Sequence, residues 1–454
     1  MTYPETSQYL ESFINYEKIP VWPYKESLKL ARIRNFLTTI GNPQNDLRCI
    51  HVAGTKGKGS TCAFCAYVLR EASFKVGLYT SPHLSNFRER IRILAPSSRL
   101  QAPGFEFEGM ISENELIGLV EKLKPKIEVY NRNSKYGALS FFEVYTALAF
   151  VYFKEQNVDF TVLETGLGGR LDATNVVRSC VCAITPISYE HTQKLGNSLK
   201  EISKEKAGII KRQKAKGKRQ KLIVISAPQE KEVMDIIRKR CKATDAKLYE
   251  VGKDIRYQRT KDVFRVKGIL AEYLDLRTGL LGDHQLINAS VAIGVIEALH
   301  SYNINVDADS IKRGIYNTIW PGRCEVISKE PLVILDGAQN AASSEVLEEA
   351  IRKNFEYERL ILVLGISKDK DMKGICNQLY DLADEIILTK ANNPRATTPK
   401  RLAKYFSGKD ICITDNVQEA KIRAFNMAKK EDLILVTGSL FVIGEFRNGN
   451  LRPK

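Results

Sequence analysis

Short apolar runs alternate with amphipathic stretches along most of this 454-residue chain. Short apolar runs are typical of buried parallel strands, and apolar residues at helical spacing are typical of helices that pack on a sheet. A helix over residues 141–154 is predicted because Val144, Leu148 and Val151 share one face. The alternation predicts an α/β fold. In the first part of the chain we predict strands at residues 49–53, 75–80, 159–165, 181–185 and 222–227.

The pattern changes between residues 245 and 280 and then restarts. The alternating sequences VFRVKGI and EYLDLRT predict a small antiparallel ribbon, which a helix over residues 285–299 follows. Because Pro321 and Gly322 interrupt helices and strands alike, we predict two domains, residues 1–320 and 321–454. After this boundary we predict a helix at 343–353 and strands at LVILD, LILVLG, EIILT, ICITD and LILVTG.

Composition changes this picture little. No run approaches the roughly 18 apolar residues that a membrane helix needs, and the first residues lack an apolar signal core. We therefore expect a soluble, cytoplasmic protein with no membrane partner. The nine cysteines are scattered, as expected for reduced thiols. Cys62 and Cys65 form a C-x-x-C whose spacing fits one helix face. A zinc site is not expected, because no second pair of ligands completes the set.

The formal net charge of +16 raises the possibility of a nucleic-acid partner. The densest basic run, between Lys204 and Lys221, contains no aromatic residue on which a base could stack. We interpret it as a solvated loop and expect no nucleic-acid partner, although an NTPase that acts on nucleic acid stays as an alternative. A positive field also attracts ATP or an acidic small substrate.

A glycine-rich loop follows the first predicted strand and leads into a helix that is predicted from about Ser60. Backbone N–H groups and the helix N-terminus would there face a bound anion. Lys58 would reach the terminal phosphates of ATP, and Ser60 offers a hydroxyl to magnesium. The loop departs from the strict Walker pattern, with Val52 in place of glycine and Gly59 in place of the hydroxyl residue. The loop residues are Gly54, Thr55, Lys56, Gly57, Lys58, Gly59 and Ser60.

A series of further segments occurs in order along the chain. They are HVAGTKGKGS (51–60), TSPHL (80–84), FFEVYTALAF (141–150), ETGLGGRLDATN (164–175), HTQKLGNS with EKAGIIK (191–211), GDHQLINA (282–289), WPGR (320–323), LDGAQN (335–340) and VTGSLFVIGE (436–445). Together they resemble the folylpolyglutamate synthase and dihydrofolate synthase family, which is related to the muramyl peptide ligases. The resemblance implies an N-terminal ATP-binding, Mur-ligase-like domain with a parallel sheet, and a C-terminal Rossmann-like glutamate-ligase domain.

The resemblance also implies a reaction. ATP phosphorylates a carboxylate, and the amino group of L-glutamate then displaces phosphate to form an amide, with Mg²⁺ as cofactor and a folate as the other substrate. A dihydrofolate synthase or bifunctional enzyme acting on dihydropteroate remains an alternative, as does an inactive nucleotide-binding relative. The TSPHL and LGGRLDATN loops would line the pterin pocket. We expect a monomer.

The family motifs imply site residues in this chain. Ser81 and Glu143 would be magnesium ligands, and His191 a ligand of a second magnesium. Lys206 corresponds to a lysine that the family carbamylates. The expected catalytic residues are Lys58, Lys206 and His191. Asn288 and Arg323 would bind the nucleotide, and Asp336 its ribose.

Position 339 departs from the family. In the segment LDGAQN the family usually has histidine where this chain has Gln339. A glutamine amide can donate a hydrogen bond but cannot carry a proton near neutral pH. A neutral hydrogen-bonding role would therefore survive at this position, whereas a proton-transfer role would not.

Overall fold

The computed structural model describes residues 1–19, 21–96, 107–212, 221–261 and 263–448. Residues 97–106, and residues 213–220 of the basic run between Lys204 and Lys221, therefore lie outside the described residues. The helices are α1 (Tyr3–Glu11), α2 (Tyr24–Ser27), α3 (Leu30–Thr39), α4 (Lys58–Glu71), α5 (Glu113–Asn133), α6 (Phe141–Glu155), α7 (Thr192–Leu195), α8 (Leu199–Lys206), α9 (Lys231–Thr244), α10 (His284–Ala298), α11 (Ala308–Asn317), α12 (Ala341–Asn354), α13 (Met372–Tyr380), α14 (Pro399–Ala403), α15 (Val417–Met427) and α16 (Leu440–Arg447). The strands are β1 (Cys49–Ala53), β2 (Val76–Tyr79), β3 (Ile91–Leu94), β4 (Phe160–Glu164), β5 (Ser179–Ile184), β6 (Ile223–Ser226), β7 (Lys247–Glu250), β8 (Arg256–Thr260), β9 (Val263–Lys267), β10 (Glu272–Leu276), β11 (Glu325–Lys329), β12 (Leu332–Leu335), β13 (Leu360–Leu364), β14 (Glu385–Leu388), β15 (Ile411–Ile413) and β16 (Leu433–Thr437).

The first half of the chain builds a seven-stranded sheet in the order β3-β2-β4-β1-β5-β6-β7. All neighbours pair in parallel except β3, which runs antiparallel to β2 at the edge. The central strand β1 is buried along its whole length because helices cover both faces. The five predicted strands are confirmed, and each lies where the apolar run predicted it.

Helix α4 leaves the central strand and packs against α10 and α11 in the core of this half. Cys62 and Cys65 are both buried on α4, and all nine cysteines are free thiols. The predicted ribbon is confirmed as a three-stranded antiparallel sheet, β10-β9-β8. Its β9–β10 turn is tied to α10, because the Glu297 carboxylate accepts the backbone N–H groups of the turn residues 269–271.

The second half forms a six-stranded sheet in the order β11-β12-β16-β13-β14-β15. Its strands are parallel apart from β11, an antiparallel edge strand that the sequence did not predict. The predicted α/β class with two sheets and an antiparallel ribbon is confirmed. None of the helices within the described ranges is long and apolar enough to cross a membrane.

The two halves are in direct contact around the connecting segment 320–324. A Cβ atom built on Gly59 of the phosphate loop would lie 3.0 Å from the indole ring of Trp320, so the connection packs against the start of α4. Further away, the Ser85 hydroxyl donates a hydrogen bond of 3.0 Å to the carbonyl oxygen of Gly444 on α16. These contacts enclose two cavities between the halves.

Candidate active site

The phosphate loop has the geometry that an anion site requires. Helix α4 begins at Lys58, two residues before the predicted start, and its N-cap Gly57 provides no side chain to its first N–H groups. Gly57 has a φ of +80°, and a Cβ there would lie 2.2 Å from Oδ1 of Asn288. Glycine is therefore required both by the backbone conformation and by the approach of Asn288. The helix N-terminus is left to bind a negatively charged group.

A cavity of about 290 Å³ lies between this loop and α12 of the second half. The structure brings together all the predicted nucleotide residues in its lining except Gly54. Asp336 lies there with both carboxylate oxygens engaged, accepting N–H groups of Cys324 at 2.9 Å and Ala338 at 2.8 Å. The predicted residues that line the cavity are Thr55, Lys56, Gly57, Lys58, Gly59, Ser60, Asn288, Arg323 and Asp336.

A carboxylate that sequence reasoning missed also faces this cavity. Glu164 ends β4, and its Oε1 lies 4.0 Å from Nζ of Lys58. Its other oxygen accepts the Ser81 N–H at 3.1 Å. Burial raises the pKa of Glu164, and the positive charge of Lys58 partly opposes that rise. The carboxyl end of a parallel strand next to the phosphate loop was the sequence signal for this residue.

Glu164 and Ser81 suit a hard cation. The buried Ser81 Oγ has no hydrogen-bond partner among the described residues, and it lies beside the carboxylate. Carboxylate and hydroxyl oxygens are ligands that magnesium accepts, with water and substrate phosphates completing its octahedron. Within the described ranges, no group of three or more His, Cys, Asp or Glu side chains could hold a metal by protein ligands alone.

Glu143, the predicted magnesium ligand, is engaged in a different role. It is the third residue of α6, and its carboxylate accepts the N–H and hydroxyl of Ser140 at 2.8 and 2.7 Å, which closes a capping box. Nε of Arg32 lies 2.9 Å from each of its oxygens, and both side chains are buried. Arg32 thus already neutralises this carboxylate, whereas the Glu164 carboxylate faces the nucleotide cavity.

Lys206 is fully enclosed beside the phosphate loop. Its ammonium donates a 2.7 Å hydrogen bond to the carbonyl oxygen of Gly54. Burial, and then the charge of Lys58, lowers the pKa of Lys206 to about 7, although Glu190 opposes this shift. Glu190, which sequence reasoning also missed, lines the nucleotide cavity. A lysine with this pKa has a large neutral fraction at physiological pH.

His191 lies on the other side, in a second cavity of about 200 Å³. The surrounding protein partly desolvates the imidazole and lowers its pKa to about 4 against the opposing charge of Glu190, so that the ring is neutral near pH 7. Loops 81–82 and 166–173 line this cavity, as predicted for the TSPHL and LGGRLDATN segments. Its outer wall includes Trp22 and Tyr16, whose ring centroids are 4.5 Å apart.

Gln339 lies where the two cavities adjoin. Among the residues that the structure describes, it is the only one that lines both of them. Its backbone N–H donates to the hydroxyl of Ser343 at 3.1 Å, which fixes it one residue before Asn340, the N-cap of α12. A group from each cavity can therefore approach the Gln339 amide.

Comparison with known proteins finds related families and structures. The family described as Mur ligase middle domain matches residues 110–296, and the Mur ligase glutamate ligase domain matches residues 322–440. The dihydrofolate synthase/folylpolyglutamate synthase of Bacillus subtilis is 34% identical over 430 residues, which cover 92% of this chain and 94% of that protein.

Solved structures show the same two-domain fold. The Mycobacterium tuberculosis folylpolyglutamate synthase complexed with ADP superposes with a TM-score of 0.84 and 28% identity, covering 99% of this chain and 98% of that one. Escherichia coli FolC in complex with DHPP and ADP gives a TM-score of 0.78 at 28% identity, covering 98% of this chain and 96% of that one.

Proposed function

The chain belongs to the family of folylpolyglutamate and dihydrofolate synthases, and from this premise we propose that it is an ATP-dependent ligase that adds L-glutamate to a folate through an acyl phosphate. The observation that carries the proposal is the meeting of the two cavities at Gln339. One cavity has the lysines and helix N-terminus that suit ATP. The other has room for the carboxylate that ATP must phosphorylate.

In the first step the substrate carboxylate attacks the γ-phosphorus of ATP, and ADP leaves. Negative charge spreads over the transferred phosphoryl group, which cations stabilise most where water is excluded. Lys58, at the start of α4, and Arg323, on the connecting segment, face this charge from two directions. Ser81 and Glu164 would hold magnesium, and His191 is kept as the proposed ligand of a second ion. The bound metal would neutralise phosphate charge.

In the second step the amino group of glutamate attacks the acyl phosphate. A C–N bond forms, the C–O bond to phosphate breaks, and inorganic phosphate leaves while the nitrogen loses a proton. The Gln339 amide can hydrogen-bond to the reacting groups without exchanging a proton. Because both cavities lie between the two halves, closure of residues 321–454 onto 1–320 would exclude water and protect the acyl phosphate.

Lys206 is proposed to act as a carbamate. With a pKa of about 7, its neutral amine can attack carbon dioxide, forming a C–N bond and releasing a proton. The product is an anion beside Lys58. It would replace a buried cation by a group able to hold a metal or orient the phosphates.

Purified protein incubated with ATP, magnesium, glutamate and either tetrahydrofolate or dihydropteroate tests the proposal. We expect an amide product from tetrahydrofolate, with ADP release that requires both glutamate and the folate. Product from dihydropteroate as well would make the protein bifunctional. The absence of an amide product from both substrates would overturn the proposed function.

A further inference from the structure

The second cavity carries more positive charge than its own carboxylates neutralise. Each of the four carboxylates on its wall already has protein donors. Glu17 is bound by Arg90, Glu143 by Arg32, Asp369 by Arg395, and Asp172 by the backbone N–H groups of Gly166, Leu167 and Thr174.

Three lysines on the same wall have no such partner. Among the described residues, no carboxylate oxygen lies within 4.0 Å of Nζ of Lys29, Lys194 or Lys370, and none of the three ammonium groups donates a hydrogen bond. Lys194 and Lys370 are half-buried and Lys29 is exposed. A partly buried cation without a close counter-ion is unfavourable, so the cavity is suited to a ligand that brings carboxylates with it.

Lys194 is the most restricted of the three. Its ammonium lies 4.7 Å from the ring centroid of Trp22, and it is half-buried on the short helix α7. Burial, followed by the charge of Arg395, lowers its pKa; the carboxylate of Asp369 opposes this shift and the charge of Lys370 adds to it. Lys194 therefore lies on the wall that Trp22 and the 166–173 loop form, and faces cations across the cavity.

The number of carboxylates distinguishes the two candidate substrates. Dihydropteroate has one carboxylate, which is the group that reacts. A folate already has a glutamate, so that an α-carboxylate remains free next to the reacting γ-carboxylate. Of these two substrates, only the folate has a second carboxylate that a lysine on this wall can bind while the reacting one reaches Gln339.

We propose that Lys194 is a specificity-determining residue that binds the α-carboxylate of the folate's terminal glutamate. The inference rests on the proposed function and deepens it, because it selects the substrate class: a pteroyl compound that already carries glutamate is preferred over dihydropteroate. A charge-assisted hydrogen bond supplies the preference, and the Trp22 ring holds the ammonium in place.

A thermodynamic cycle tests this assignment. The dissociation constants of tetrahydrofolate and of its α-methyl ester are measured by calorimetry on the native protein and on Lys194→Gln, with a non-hydrolysable ATP analogue present. We expect Lys194→Gln to weaken the binding of tetrahydrofolate about tenfold and the binding of the ester less than about twofold. The ester has already lost the charge that Lys194 would bind. Lys194→Arg should retain most of the affinity.

The matched control is Lys25→Gln, which removes an exposed lysine of α2 that is outside the cavity lining and should change neither constant. Equal weakening of acid and ester by Lys194→Gln, or no weakening of either, would refute the role of Lys194. The amide assay reports separately: a native protein that forms no amide disproves the proposed function, whereas an active protein without coupling in the cycle disproves only this inference.

Discussion

The Nζ atom of Lys58 lies 4.0 Å from Oε1 of Glu164. The first residue of the phosphate-binding helix and the last residue of the neighbouring strand β4 therefore face the same part of the nucleotide cavity. A cation and an anion thus stand side by side, an arrangement that suits the phosphate and metal ion of phosphoryl transfer.

Glu164→Gln should strongly reduce magnesium-dependent turnover and leave the fold intact. Burial raises the pKa of Glu164, which means that the ionised carboxylate is unfavourable in the folded protein. Removing its charge should therefore not lower the stability. We expect kcat to fall by about 10²- to 10³-fold with a nearly unchanged Tm. Kinetics across a magnesium titration measure the effect; a variant with native kcat would exclude Glu164 as a metal ligand.

Glu143→Gln should lower the stability of the protein and leave its turnover unchanged. Removing this charge leaves the buried Arg32 without its partner, so the free energy of unfolding should decrease by about 3 kcal/mol. The folded fraction should keep its kcat and its magnesium dependence. Denaturant unfolding and kinetics on the same sample separate the two effects. Native stability combined with lost magnesium response would restore the sequence-based assignment of Glu143.

Lys58→Ala should stop amide formation and leave the protein folded. The side chain reaches into the nucleotide cavity and makes a single 3.4 Å hydrogen bond, to the Thr55 carbonyl oxygen. We expect a loss of about 10³-fold or more in kcat. The control is Lys200→Ala, an exposed position on α8. Near-native turnover of Lys58→Ala would contradict the phosphate role.

Lys206→Ala should be inactive and should recover in part when short carboxylates are added. If the carbamate is the active form, acetate or formate can occupy the space and replace its charge, restoring at least about tenfold in rate. Lys204→Ala, exposed two residues earlier on the same helix, should behave like the native protein. Failure of rescue in a fully folded variant would argue against carbamylation.

Lys206→Met should stabilise the carbon-dioxide-free protein. The pKa of Lys206 falls from 10.5 to about 7 on folding, so the unfolded state binds more protons between these pH values and the lysine costs stability there. This cost grows as pH falls from 10.5 to about 7 and is constant below. Denaturant unfolding at both pH values should show that the methionine variant exceeds the native protein in stability by more at pH 7 than at pH 10.5. If the stability difference between the variant and the native protein were equal at both pH values, Lys206 would not titrate between them.

Gln339→His should alter the pH profile more than the rate. The native amide cannot titrate, whereas an imidazole introduced at the junction of the cavities can. We expect kcat within about tenfold of native and a new inflection in the pH–rate profile. A variant that turns an inactive protein into a robust ligase would instead identify the native chain as a nucleotide-binding relative without activity.

The sequence pattern predicted the parallel central strands of both sheets and missed edge strands such as β3 and β11. β1 and β4 are mostly apolar and buried at every residue because both faces of the sheet are covered. β3 has the sequence IRIL, and the guanidinium of its buried Arg92 donates to the Glu108 carbonyl oxygen at 2.7 Å. An arginine whose partner lies beyond the strand cannot be told from a solvated one by its periodicity.

The candidate site, too, could be predicted only where its geometry depends on residues that are close in sequence. Residues of one continuous loop, 54–60, could be predicted together because the loop itself sets their geometry. The choice between Glu143 and Glu164 could not be made in this way, since it depends on Arg32, which is 111 residues from Glu143 along the chain. The helix start before Glu143 was read correctly, but the partner of its carboxylate is a tertiary contact.

The segment that connects the two sheets lines part of the nucleotide cavity. Trp320 touches Gly59, and Arg323 lines the cavity three residues later. If the second half rotates about this segment, atoms close to the axis travel the shortest distance. The phosphate loop and Arg323 would then keep their spacing in an open molecule, whereas Lys194 and Arg395 would separate. ATP could thus dock before the halves meet, and the binding of carboxylate-rich substrates would depend on how far the molecule has closed.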